Sequence, residues 1–144
     1  VTVTSDFHSN IENIWDKIQD VNTLREICKP KASFIACDDS PIQWKEGKTF
    51  VFKMYLHGFL PVGRHTINVV KMDKTSRGID TKEYDNTVVI WNHYIKMEEI
   101  SQQVTRYTDT VDLYAGCLTS IAAWWTLKFY KHRQRKWQKI AKSL

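Results

Sequence analysis

Between residues 48 and 113 apolar side chains recur at every second position, and beyond residue 115 they recur at every third or fourth. A period of two marks strands with one buried face, and a period near 3.6 marks a helix. In residues 48–58, Phe50, Phe52, Met54 and Leu56 share one side while Lys53, Tyr55 and His57 share the other. Residues 58–63, with Pro61, read as a turn, and residues 64–72 as the next strand. Asp73-Lys74-Thr75-Ser76 is a polar turn, residues 77–84 and 87–97 form a hairpin about Asp85-Asn86, and residues 103–113 are the last strand. After residue 115 nothing breaks a helix of about 28 residues, roughly 40 Å long at 1.5 Å per residue. Its expected apolar stripe is Leu118, Ile121, Ala122, Trp125, Phe129, His132, Lys136 and Ile140.

The N-terminal third supplies the rest of the frame. Residues 1–7 alternate as a strand, and Ser9 and Glu12 have capping-box spacing before a helix with Ile11, Ile14, Trp15, Ile18 and Val21 on one face. Asn22 is the expected cap of a second short helix that Pro30 stops, and residues 32–37 read as a strand. Asp38-Asp39-Ser40-Pro41 is the turn that follows. A meander of six strands must curl, and its concave face needs a cover that only the C-terminal helix is long enough to give. The expected architecture is α+β: a curved antiparallel sheet, two short N-terminal helices and one long C-terminal helix, in a single domain over residues 1–144.

Composition narrows the function classes. The 144 residues suffice for one core, and six each of Trp, Tyr and Phe are large flat side chains suited to walling an apolar cavity. The three cysteines, Cys28, Cys37 and Cys117, are odd in number and show no CxxC spacing, which argues against a disulfide framework or a structural zinc site and for a reducing, cytoplasmic setting. The first residues lack a charged n-region, so no signal peptide is expected. The net charge of +5 is local: no acidic residue follows Asp112, while Lys128, Lys131, Arg133, Arg135, Lys136, Lys139 and Lys142 crowd the last helix.

Strand parity yields a candidate inner set. If Ile79, Val89, Trp91 and Val111 point inward, then Thr81, Glu83, His93, Tyr107 and Asp109 do so too, and His65 joins from the neighbouring strand. A three-residue loop at 84–86 would set Glu83 opposite Thr87 and Ile79 opposite Trp91. The same offset at the next loop would bring His93 to Tyr107 and Trp91 to Asp109. Three roles stand open for this carboxylate–imidazole–phenol cluster: a structural network, an anchor that orients an apolar ligand, or acid–base catalysis through Glu83, His93, Tyr107 and Asp109. The expected pocket is apolar, a few hundred Å³ in volume, and lined by Phe50, Phe52, Met54, Trp91, Ile121, Trp125 and Phe129 beside the polar group.

Other motifs fail. Gly47-Lys48-Thr49 resembles the tail of a phosphate loop, but Ile42 stands where its first glycine is required. There is no GxSxG, HExxH or GxGxxG, and the five histidines lack a metal-ligand spacing, so neither cofactor nor metal is expected. The basic helix end has three readings: a solvated helix end, an anionic-membrane contact with Tyr130 and Trp137 at the headgroups, or nucleic-acid binding, which the lack of any such motif ranks last.

The order of elements resembles the START-like superfamily, also called SRPBCC or birch-pollen-allergen-like, in its polyketide-cyclase-like branch. The stretches that carry the resemblance are Thr105-Arg106-Tyr107-Thr108-Asp109-Thr110-Val111, Tyr114-Ala115-Gly116, and Phe129-Tyr130 with His132-Arg133-Gln134-Arg135-Lys136-Trp137; Gly63-Arg64-His65-Thr66-Ile67 and Trp91-x-His93 fit the same group. The resemblance implies a helix-grip fold, with a seven-stranded sheet around the C-terminal helix and a hydrophobic ligand pocket between them. It implies no single activity, because such proteins include lipid and hormone carriers, cyclases and co-chaperones. The glycine-rich loop of the plant members is absent, with only Gly47 before the corresponding strand. Binding of a lipid, polyketide or isoprenoid is the leading expectation, and a cyclase, dehydratase or hydrolase the alternative.

Overall fold

The computed structural model describes residues 1–37 and 42–144, so the turn expected at Asp38-Asp39-Ser40-Pro41 lies outside the described residues. The elements run β1 (Thr2–Phe7), α1 (Ile11–Ile18), α2 (Val21–Cys28), β2 (Ala32–Ala36), β3 (Thr49–Leu56), β4 (Leu60–Asp73), β5 (Gly78–Tyr84), β6 (Ile90–Ser101), β7 (Val104–Tyr114), one 3₁₀ turn (Gly116–Leu118) and α3 (Thr119–Ala141). One antiparallel sheet has the order β1-β7-β6-β5-β4-β3-β2. It is the expected helix-grip frame, a curved open sheet with the long helix as its cover. The first strand pairs with the last, Thr2 opposite Thr110 and Phe7 opposite Thr105, so β1 and β2 form the two edges of the sheet.

Local chemistry moves several boundaries. Asn10, not Ser9, caps α1, its Oδ1 accepting from the Asn13 amide at 2.8 Å. Ser9 is buried instead, where its carbonyl accepts from Thr105 Oγ at 2.9 Å. Asp20 caps α2 through the Asn22 amide, two residues earlier than expected. The β3–β4 turn is tight because His57 (φ 51°) and Gly58 (φ 82°) both enter the left-handed region, and Leu56 then pairs with Leu60. Pro61 therefore lies in β4 and not in a turn. It is tolerated where the ladder slips by one residue between Met54 and Tyr55.

The β5–β6 hairpin differs from the expected register by four residues. The connection is wider, because Asp85 Oδ1 accepts from the Thr87 and Val88 amides at 2.8 and 2.7 Å and tucks Val88 into the core. Glu83 now faces Trp91 and Ile79 faces Ile95. In the next hairpin Tyr107 faces Met97 and His93 faces Val111. An even shift preserves which face each side chain takes. Val89 alone fails: it sits in the loop, 56% exposed.

The last helix is 23 residues, roughly 35 Å, because the 3₁₀ turn takes its expected first positions. Its buried face is Thr126, Phe129, Tyr130, Arg133, Gln134, Trp137 and Ala141. That face is turned by about one residue from the expected stripe. Leu118 and Ile121 are exposed, Ile121 at 67%, so Ile121 lines nothing. The expected stripe took His132 and Lys136 as its polar members, whereas the buried face has Arg133 and Gln134 at those turns. Tyr130 and Trp137 are buried, so the membrane-contact reading loses both of its aromatic residues.

Candidate ligand cavity

The cavity forms because the sheet's concave side carries alternating side chains that α3 and α2 cannot fully fill. Its floor is aliphatic, with Ile67, Val69, Ile79 and Ile95 from β4, β5 and β6. Aromatic rings from Phe129, Tyr130 and Trp137 close it on the helix side, and Trp91 of β6 faces them from the sheet. Trp91 donates to Tyr130 Oη at 3.3 Å, and Phe7, Tyr107 and Trp137 stack beyond, with centroids 4.8 to 6.0 Å apart. The space left is about 80 Å³. The expected few hundred Å³ is not present in this conformation, because these rings occupy the cup. Ligand pockets usually hold roughly 300–1,000 Å³.

One wall is polar and follows from strand register. Ile67 opposite Glu83 sets His65 diagonal to Glu83 and level with Asp85. Thr81 opposite His93 sets Glu83 diagonal to His93, and Asp109 is diagonal to His93 on β7. His65 Nδ1 lies 3.1 Å from Asp85 Oδ2, and its Nε2 lies 2.9 Å from Glu83 Oε1. Thr81 donates to Glu83 Oε2 at 2.6 Å, and His93 Nδ1 is 3.6 Å from that oxygen. His93 Nε2 meets Asp109 Oδ1 at 2.7 Å. Gln134 of α3 extends the chain, donating to Asp109 Oδ2 at 2.9 Å and to the Val3 carbonyl at 2.8 Å while accepting from Ser5. The wall thus joins β4, β5, β6, β7, α3 and β1 through buried side chains.

Protonation follows from these partners. Burial works against charge on His65, but the hydrogen bonds to Asp85 and Glu83 outweigh it and raise its pKa to about 9. With a carboxylate on each ring nitrogen, both nitrogens must carry hydrogen, so His65 is an imidazolium. Burial likewise opposes ionisation of Glu83, yet the His65 and His93 bonds hold it well below the usual carboxylate range. His93 is raised in the same way by Asp109 and Glu83 against its burial. Burial pushes the Tyr107 and Tyr130 phenols well above their ordinary value and the Cys28 thiol to about 12, so none supplies an anion.

The structure brings together Met54, His65, Thr81, Glu83, Trp91, His93, Tyr107 and Phe129 around one cavity. Asp109 lies behind His93, fully buried. Phe50 and Phe52 are buried on the expected face but off the cavity, their rings against Trp44 at 4.8 and 6.2 Å. Trp125 is half-buried and stacks on Phe129 at 4.7 Å, outside the lining, and Ile121 is on the surface. The sequence reading missed Asp85, which looked like turn chemistry, and Tyr130, Arg133 and Trp137. The signal for these three was their spacing of three and four, which closes a helix face once polar members are admitted.

No protein-family model matches the sequence, and no curated protein matches it. Solved structures do. A START superfamily protein from Mycobacterium smegmatis superimposes with a TM-score of 0.69 at 11% identity, over 99% of this chain and 97% of the other. The major latex-like protein 151 of Panax ginseng gives 0.68 at 7% identity, over 98% and 95%. A hypothetical protein from Helicobacter pylori gives 0.73 at 10% identity, over 98% and 88%. At these identities the likeness is one of fold: the chain has the START-like helix-grip architecture that its element order resembles. Among the described residues no helix is long and apolar enough to cross a membrane.

Proposed function

We propose that the protein binds a small amphipathic molecule in the cup between sheet and α3. The observation that carries this reading is an interior space with aliphatic and aromatic walls and a buried polar side, which is how ligand sites orient mostly apolar molecules. The START-like fold supports it, because resemblance to that superfamily implies a pocket in this place. The volume of about 80 Å³ narrows the expectation. A short molecule fits, whereas a lipid, polyketide or isoprenoid fits only if Trp91 or Phe129 turns aside. Acid–base catalysis has less support. Both ring nitrogens of His65 are engaged by carboxylates, and His93 directs its nitrogens at Asp109 and Glu83. A general base needs a nitrogen that reaches the substrate.

The test is extraction of the purified protein with organic solvent, followed by mass spectrometry. The Val69→Phe variant serves as the control, since Val69 is buried on the cavity floor and a phenyl ring there fills the space. The expected result is one small molecule in stoichiometric amount from the wild type and none from V69F. Equal, background-level recovery from both contradicts the reading.

A further inference from the structure

The cavity's acidic groups are all engaged. Asp85 and Glu83 bind His65, and Asp109 binds His93 and Gln134. One donor is not. Arg133, only 6% exposed, lines the cavity from the buried face of α3. Among the described residues no carboxylate lies within ion-pair distance of it, and its Nε is buried without a hydrogen-bond partner. Its guanidinium lies over aromatic rings, 4.5 Å from the Tyr130 centroid and 5.8 Å from that of Phe129. Tyr107 Oη and Trp137 Nε1 lie fully buried beside each other, away from the open space. Trp137 is one helical turn beyond Arg133, on the same face.

A buried cation without a counter-ion is costly, and each unmade buried hydrogen bond adds to that cost. Arg133 is a charged donor in the cavity wall that lacks an ion-pair partner: it feels the charge of Asp109, but that carboxylate is already bound to His93 and Gln134. An aliphatic or alcoholic ligand would leave the charge unpaired. A carboxylate would not: its two oxygens accept from the planar guanidinium fork.

We infer that Arg133 holds the carboxylate of a small amphipathic acid, with the aliphatic floor taking the acid's apolar end. This rests on the ligand-binding reading above and specifies its ligand class. Arg133 is a binding residue here, placed by α3 and kept in orientation by its stacking on Tyr130.

The experiment compares hexanoate with hexan-1-ol, equal in chain length and different in charge, by NMR shift titration at neutral pH. The wild type is to bind hexanoate at least about tenfold more tightly than hexan-1-ol. Arg133→Met, which keeps length and apolar bulk, is to bind the two equally, and Arg133→Lys is to retain part of the preference. Equal binding of both by the wild type overturns the acid inference and leaves ligand binding intact. A preference that survives in R133M overturns the role of Arg133. Binding of neither probe by the wild type overturns this inference and the ligand-binding reading together. The comparison within the wild type does not depend on how well either variant folds.

Discussion

His65 sits between two carboxylates in a space that excludes water, and its charge is therefore linked to folding. Its folded pKa is about 9, above the ordinary 6.5, so the stability it confers is fully present below about pH 6.5 and is lost as pH rises through 9. The shift corresponds to about 3 kcal/mol. Glu83 and Asp85 act in the opposite direction: both are held below their ordinary values, so their contribution is present above the carboxylate range and lost in acid. Urea midpoints should be highest near pH 5 to 6.5 and fall between pH 7 and 9.5. His65→Gln should be less stable throughout and should lack that alkaline fall. An identical alkaline slope in wild type and H65Q would show that His65 is neutral in the fold. Whereas His65 was added from the neighbouring strand, parity found Glu83 and His93 from sequence because alternation fixes faces. It could not find their pairing, since the partners depend on register, and Asp85 is recruited only by the wider β5–β6 loop.

Elements show a similar division between pattern and chemistry. The start of α1 was legible, but its cap was not, because Ser9 and Asn10 are both good caps by composition. In the folded protein Asn10 satisfies the Asn13 amide, while Ser9 Oγ is buried without a partner. Asn10→Ala should cost about 1 kcal/mol. Ser9→Ala should be neutral or stabilising, because it removes an unsatisfied polar atom. Chemical denaturation of the two variants gives the comparison, and a larger loss in S9A would restore Ser9 as the cap. In α3 the period of the helix was plain, yet the face was misjudged by about 100°. Gln134 is buried through contacts made at long range: it reaches Val3 and Asp109, more than a hundred and about twenty-five positions away. No local pattern reports such partners. The β5–β6 register was misplaced by four residues for a related reason, since loop width at 85–89 is set by the Asp85 side chain.

For the whole molecule, the succession of periods was enough to give the helix-grip frame, because a six-strand meander admits few covers. The size of the interior was not legible. It depends on how far Trp91, Phe129, Tyr130 and Trp137 lean into the cup, and side-chain volume alone does not say whether aromatic residues wall a cavity or fill it. Here they do both, leaving about 80 Å³ beside a buried polar wall. The most direct test of ligand binding in the cup is methyl NMR with isoleucine labelling and saturating hexan-1-ol, a probe that asks nothing of Arg133. Ile67, Ile79 and Ile95 line the cavity, whereas Ile100 and Ile121 are exposed. The account predicts that the three inner methyl signals shift together, saturate, and stay unmoved in V69F. Shifts confined to Ile100 and Ile121, or inner methyls that never respond, would contradict it.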